Sequence, residues 1–157
     1  MTAIDQEAKT AASALLSDTK GLMGALPPVN LGVICKHLDI EVYTMPCSSF
    51  GAVFSRSPSP CILVNSNLKP GRLRFSIAHE LGHFMLNHRP SFMPADGKYI
   101  RGDVRLERQA DIFASELLLP EALLRSDLEV SGFSVSELAK RYKVSVQAME
   151  IKIRAIG

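Results

Sequence analysis

The chain has 157 residues, a net charge of +2, 46% apolar residues and 22% charged residues, the profile of one globular domain with a real core. So small a charge gives no argument for a nucleic-acid partner by itself, and no apolar run approaches the ~20 residues needed to span a bilayer. The start lacks the basic, apolar and small-residue stretches of a secretory signal, so the protein is expected to be cytoplasmic.

Residues 2–24 carry Ile4, Ala8, Ala11, Ala12, Leu15, Leu16 and Leu22 at helical spacing, with Asp5 and Glu7 suiting a helix N-terminus. This helix frays at Gly21 and Gly24, holds no chemistry, and either packs on the core or serves a partner. Pro27-Pro28 punctuates the chain, and Asn30 caps a short helix over 31–38 with Leu31, Ile34, Cys35 and Leu38 inward. His37, on the opposite side, reads as a surface residue. Cys35, Cys47 and Cys61 form no C-x-x-C pair and read as reduced thiols, with Cys35 and Cys61 buried.

Three β-like runs follow at 40–45, 51–56 and 61–65, with Ser57-Pro58-Ser59-Pro60 as a turn between the last two. They predict a short antiparallel sheet covering one side of the next helix. Either of the last two strands offers an edge to which a peptide backbone can add.

The stretch R-F-S-I-A-H-E-L-G-H-F-M-L-N-H, Arg74 to His88, contains H-E-x-x-H as His79, Glu80 and His83. At about 100° per residue, two histidines four apart share one helix face, where both imidazoles can grip one metal ion while Glu80 reaches the space beside it. Leu73, Ile77, Leu81, Phe84 and Met85 recur at helical spacing and bury this helix. His88 lies about 140° round the helix from His83, which makes it a poor fourth ligand and a better C-terminal cap.

Residues 89–104 lack a period and form a long connection near the cleft. Tyr99 lies there, and Tyr99 and His88 are the remaining candidates for an oxyanion or substrate contact. A second amphipathic helix covers 105–119 and stops at Pro120. Glu107 and Asp111 share one of its faces. A hydrolytic zinc site needs three protein ligands and one open position. Glu107 therefore reads as the third ligand, and Asp111 as the carboxylate that accepts a proton from a ligating histidine.

These two segments, H-E-L-G-H and E-R-Q-A-D-I-F-A-S-E-L-L-L-P, resemble the ImmA/IrrE family of metallopeptidases from about Pro27 to the C-terminus. The resemblance implies an α+β zincin-like metallopeptidase fold of the glutamate-ligand type, with Zn2+ on His79, His83 and Glu107 and Glu80 as general base. It also implies a protein substrate, a helix-turn-helix transcriptional repressor encoded nearby, whose cleavage releases genes of a mobile element or stress response. Mn2+ or Fe2+ also suits two histidines and one carboxylate.

After Pro120 a short helix covers 121–128. Ser134 or Ser136 then caps a helix to Tyr142, Val144-Ser145 turns, and a last helix covers 146–153, a pair resembling a helix-turn-helix. Leu138, Ala139, Val144, Val146, Met149 and Ile153 fill the angle between them. Lys140, Arg141, Lys143, Lys152 and Arg154 make DNA contact a rival to core closure. The expected organisation is an N-terminal helix at 1–26, a catalytic core at 27–120 and a helical subdomain at 121–157. The other rival function is a non-proteolytic binder of a regulator, an anti-repressor or the toxin-like half of a toxin–antitoxin pair.

Overall fold

The computed structural model describes residues 1–48, 50–89, 103–130 and 132–157. Helix α1 runs Ala3–Thr19 and α2 Leu31–His37; strands β1 Glu41–Met45, β2 Ala52–Ser55 and β3 Cys61–Asn65 follow. Helices α3 Pro70–Met85, α4 Val104–Leu118, α5 Glu121–Val130, α6 Val135–Tyr142 and α7 Val146–Ile156 complete the α+β arrangement. The helix starts obey local capping chemistry. Thr2 and Asp5 form a reciprocal capping box on α1, Asn30 caps α2, Ser134 caps α6 and Ser145 caps α7.

The sheet corrects one expectation. Its order is β1-β3-β2, with β2 antiparallel to β3 but β1 parallel to β3, in register Glu41↔Cys61. It is a mixed sheet, not an antiparallel one. Strand β3 fills the place between β1 and β2, and Asn65 at its end ties the described residues of the β1–β2 connection to the sheet. Its Oδ1 accepts from the Cys47 backbone N–H at 3.1 Å, its Nδ2 donates to the Phe50 carbonyl at 3.1 Å, and its own N–H donates to Gly51 at 2.8 Å. Strand-like residues around a short connection cannot announce such a crossing, because alternation reports faces and not neighbours.

Ile62 and Val64 of β3 and Phe54 of β2 face a core shared with Ala8, Ala12 and Leu15 of α1, Ile77 and Leu81 of α3, and Phe113 and Leu117 of α4. The α1 helix thus lies against α4 inside the main core. Of the thiols, Cys35 is buried whereas Cys61, at the sheet's end, is half-buried. A smaller cluster of Leu119, Leu124, Leu138, Ala139, Tyr142 and Met149 holds α5, α6 and α7 together, and Val144 packs against both clusters. Val146, expected inward, is exposed, and the inward place is taken by Tyr142, whose hydroxyl donates to Asp127 at 2.8 Å.

The tail is tied to the rest by polar bonds. Lys152 of α7 and Glu116 of α4 form a buried ion pair at 2.7 Å. Arg74 of α3 donates to the Lys143 and Val29 carbonyls at 3.1 and 2.9 Å. Helices α3 and α4 pack tightly at Gly82, where an added Cβ would sit 3.1 Å from both the Cα and the carbonyl oxygen of Ala110. A side chain here would force the facing backbone to give by a few tenths of an ångström. We expect Gly82→Ala to push the two helices apart at a cost of ~1–3 kcal/mol in denaturant unfolding; an unchanged unfolding midpoint would mean that the crossing is slack.

Two residues before Ala110 on α4, Arg108 makes paired bonds of 3.1 Å to the buried Asp5 carboxylate. Those bonds, with the Thr2 backbone N–H, hold the Asp5 carboxyl down to about 2. A carboxyl depressed on folding adds stability that is present above its unfolded pKa of about 4 and is lost as pH falls through the folded value. Asp5→Asn is therefore expected to melt earlier than the parent protein at pH 7, the gap closing between pH 4 and pH 2. A pH-independent gap in melting temperature would assign the effect to something other than the ionised pair.

Candidate metal centre

Pro70 occupies the first turn of α3, where its missing N–H costs nothing. From there the helix carries His79, Glu80 and His83 to its far end. The Gly82 crossing brings Glu107, in the first turn of α4, over the histidines. Glu107 Oε2 lies 2.9 Å from His79 Nε2, Glu107 Oε1 lies 3.2 Å from His83 Nε2, and the two Nε2 atoms are 3.1 Å apart. One ligand atom from each residue falls within 4.8 Å of the others. Two imidazole nitrogens and a carboxylate oxygen converging on one point form the donor set of a divalent-ion site with an open position.

The electrostatics favour a cation there. The His79 and His83 imidazoles hold the Glu107 carboxyl far below the ordinary carboxylate range. At His79, burial opposes the imidazolium, but its bonds to Asp111 and Glu107 outweigh that and push its pKa up to about 10. In the metal-free protein a proton thus holds the place between His79 and Glu107 that an ion fits. Glu80 is buried, and its Oε2 has no hydrogen-bond partner among the described residues. Burial pushes its pKa up to about 8, with His79 pulling down and Glu107 pushing up. An unpaired buried carboxylate oxygen is costly and marks a functional position.

Asp111 Oδ1 sits 2.8 Å from His79 Nδ1. Since the carboxylate can only accept, His79 Nδ1 carries a proton, and the bond aims the ring's other nitrogen at Glu107. His88 is placed otherwise than expected. Helix α3 ends at Met85, and Asn87 adopts a left-handed φ of 57°. The His88 N–H then bonds back to the His83 carbonyl at 2.9 Å and the Asn87 N–H to Phe84 at 3.3 Å, a Schellman ending. This reversal, which helical projection cannot foresee, carries the His88 ring beneath His83, their Nδ1 atoms 2.9 Å apart. His88 Nε2 meets Gln109 Oε1 at 3.0 Å, so both ring nitrogens are engaged and neither is left for an oxyanion.

The side chain that does cap α3 is Arg56. Its guanidinium donates to the Phe84 carbonyl at 2.8 Å and lies 4.6 Å from the Phe84 ring centroid. Phe54 of β2 stacks on His83 with 5.9 Å between centroids. Together they seat β2 over the ligand-bearing turn. Nothing in the sequence singles out Arg56 or Gln109, whereas Gly82, a glycine inside a helical run, is a signal in itself. Tyr99 lies outside the described residues.

The tail's positive charge is partly committed to the fold. Arg141 bonds Asp127 at 3.1 Å and stands over the Phe133 ring, and Lys152 is buried against Glu116. Gln147, Ala148 and Ile151 of α7, the helix that would enter a DNA groove, line a cavity of about 560 Å³ against Arg72 and Phe75 of α3 and Asp111 of α4. Among the described residues no helix is long and apolar enough to cross a membrane.

A His-Glu-x-x-His helix crossed by a carboxylate-bearing helix under a small mixed sheet is the arrangement of a zincin-like metal-binding domain. Residues 35–154 match the family model described as IrrE N-terminal-like domain, and the chain belongs to that peptidase family. It is 37% identical over 98 residues to the metallopeptidase ImmA of Bacillus subtilis, covering 61% of this chain and 56% of that protein. It is 30% identical over 138 residues to the radiation response metalloprotease IrrE of Deinococcus radiodurans, covering 83% and 38% respectively. An uncharacterized immunity region protein of Bacillus phage phi105 is 30% identical over 91 residues, 58% of this chain and 57% of its own length. The chain thus spans little more than half the length of ImmA and well under half that of IrrE.

Family membership implies a metal, and the converging donors fit one. We expect Glu107→Gln to weaken retention of a divalent ion by ~10-fold or more in a chelator competition, because a neutral amide oxygen replaces the anionic ligand. Equal retention would move the third ligand elsewhere.

Proposed function

We propose that this chain is a zinc-dependent endopeptidase and that it cleaves a helix-turn-helix transcriptional repressor, derepressing the genes that repressor controls. The observation that carries the peptidase reading is the convergence of His79, His83 and Glu107 on one point beside the unpartnered Glu80 oxygen. Zinc is the ion best matched to two imidazoles, one carboxylate and an open position. The names of the relatives, metallopeptidase ImmA and radiation response metalloprotease IrrE, support the chemistry. The repressor substrate rests on the family resemblance alone.

When bound, the ion supplies Lewis-acid activation of water and of the scissile carbonyl. The side chains supply the rest. Glu80 takes a proton from the attacking water at its buried carboxylate and returns it to the leaving amine. Burial favours the protonated carboxyl in the metal-free protein, and a cation at the centre would favour the carboxylate that accepts the proton. Asp111 holds the His79 ring in orientation from outside.

Of the two strands left open by sequence, β3 lies in the middle of the sheet and β2 at its edge, so β2 is the strand for an incoming peptide. The Asn65 to Gly51 bond sets the alternation, which turns the backbone groups of Ala52 and Phe54 outward. The cavity between Phe75, Asp111 and Ile151 adjoins the metal centre through Asp111 and suits apolar side chains of the same substrate.

Glu80→Gln is expected to bind zinc as the parent does while its cleavage of a co-encoded helix-turn-helix protein, read as fragments by mass spectrometry, falls at least ~100-fold. Cleavage at parental rate by this variant would remove Glu80 from the reaction. Intact repressor bound by the zinc-loaded parent would favour the sequestering reading over the peptidase.

A further inference from the structure

We propose that His88 and Gln109 are positioning residues that set the ligating nitrogen of His83, through a hydrogen-bond relay anchored on the first turn of α1. The proposal rests on the reading of His83 as a metal ligand.

The relay runs through four groups. Gln109 Nε2 donates to the Ile4 carbonyl at 3.4 Å, Gln109 Oε1 faces His88 Nε2 at 3.0 Å, and His88 Nδ1 faces His83 Nδ1 at 2.9 Å. All three side chains are buried, with His83 3%, His88 8% and Gln109 7% exposed. Its direction follows from one fixed end. A backbone carbonyl can only accept, so the Gln109 amide nitrogen turns to Ile4 and its oxygen to His88. That oxygen accepts, so the proton of a neutral His88 sits on Nε2. His88 Nδ1 then offers a lone pair, and His83 Nδ1 must carry a proton. On a neutral His83 ring the remaining lone pair is then on Nε2, which faces Glu107 Oε1 at 3.2 Å and would be directed at an ion held between them.

Reversing any one member would set two acceptors or two donors against each other in a buried place, which is costly. The two ligating histidines are therefore oriented by different devices. His79 is held by a carboxylate whose side chain is largely exposed, whereas His83 is held by a neutral chain inside the protein. The anchor is itself secured. Ile4 lies in the turn closed by the Thr2–Asp5 capping box, and Arg108, next to Gln109, grips Asp5. The N-terminal helix, which has no chemistry of its own, thereby becomes a support of the metal centre.

The test uses the full chain. Imidazole 1H–15N spectra of the zinc-loaded protein should show His88 protonated on Nε2 only and His83 protonated on Nδ1. Zinc affinity, from chelator competition, should fall ~10–100-fold in His88→Phe, which keeps the ring but loses the acceptor. His88→Asn, whose amide oxygen can stand where Nδ1 stands, should recover most of that loss, and Gln109→Leu should fall between. A proton found on His88 Nδ1, or parental zinc affinity in His88→Phe, overturns the proposal; if His88→Phe does not fold, the spectrum of the parent protein decides. Cleavage by the parent together with unaltered affinity in the variants would remove the relay alone. Lost affinity in a parent that cleaves nothing would keep the relay and remove the peptidase.

Discussion

The approach of α3 to α4 at Gly82 is the constraint on which the rest is built. His83 follows Gly82 directly, and Glu107 stands one turn before Ala110, the residue Gly82 meets. A close crossing at this point therefore places one of the converging donor side chains on each side of a narrow gap. A glycine inside a helix costs ~1 kcal/mol relative to alanine. Here that cost is set against the packing of Phe113 and Leu81 and against the gathering of three donor atoms. The sheet, α1 and the tail can be seen as ways of keeping the two helices in place: Arg56, just past the end of β2, holds the end of α3, Asp5 from α1 the start of α4, and Lys152 from α7 its far end.

Charge within the site follows from that placement. Glu107 and Asp111 flank His79 on its two nitrogens, and Glu80 is buried nearby. Without an ion, a proton on His79 is the compensating positive charge. The site is thus organised for a cation before one arrives, and its histidines already present Nε2 to the same point. Such preorganisation is what separates a metal centre from two histidines that happen to share a helix face.

Much of this was legible in the residues. The four-residue spacing of His79 and His83, and of Glu107 and Asp111, translates directly into shared helix faces. Asn30 and the Ser134–Glu137 capping box mark helix starts by local chemistry alone. What was not legible depends on where the chain reverses or crosses itself. The parallel pairing of β1 with β3 goes with bonds that Asn65, at the far end of the third strand, makes to Cys47 and Phe50. His88 escapes helical projection because the helix has already ended and Asn87 has turned the chain back. In projection Gln109 is one more polar residue on an amphipathic helix, and two of the tail's cations are taken up by Asp127 and Glu116, partners well separated from them in sequence.

The solitary oxygen of Glu80 has an implication for anyone who engineers this protein. A buried carboxylate with one oxygen unsatisfied weakens the native state of the metal-free chain, and many replacements at that position relieve the burden. With the role proposed above for Glu80, a library sorted only for heat resistance would drift toward robust but inert members. Sorting must be coupled to turnover if the chemistry is to survive the search for toughness.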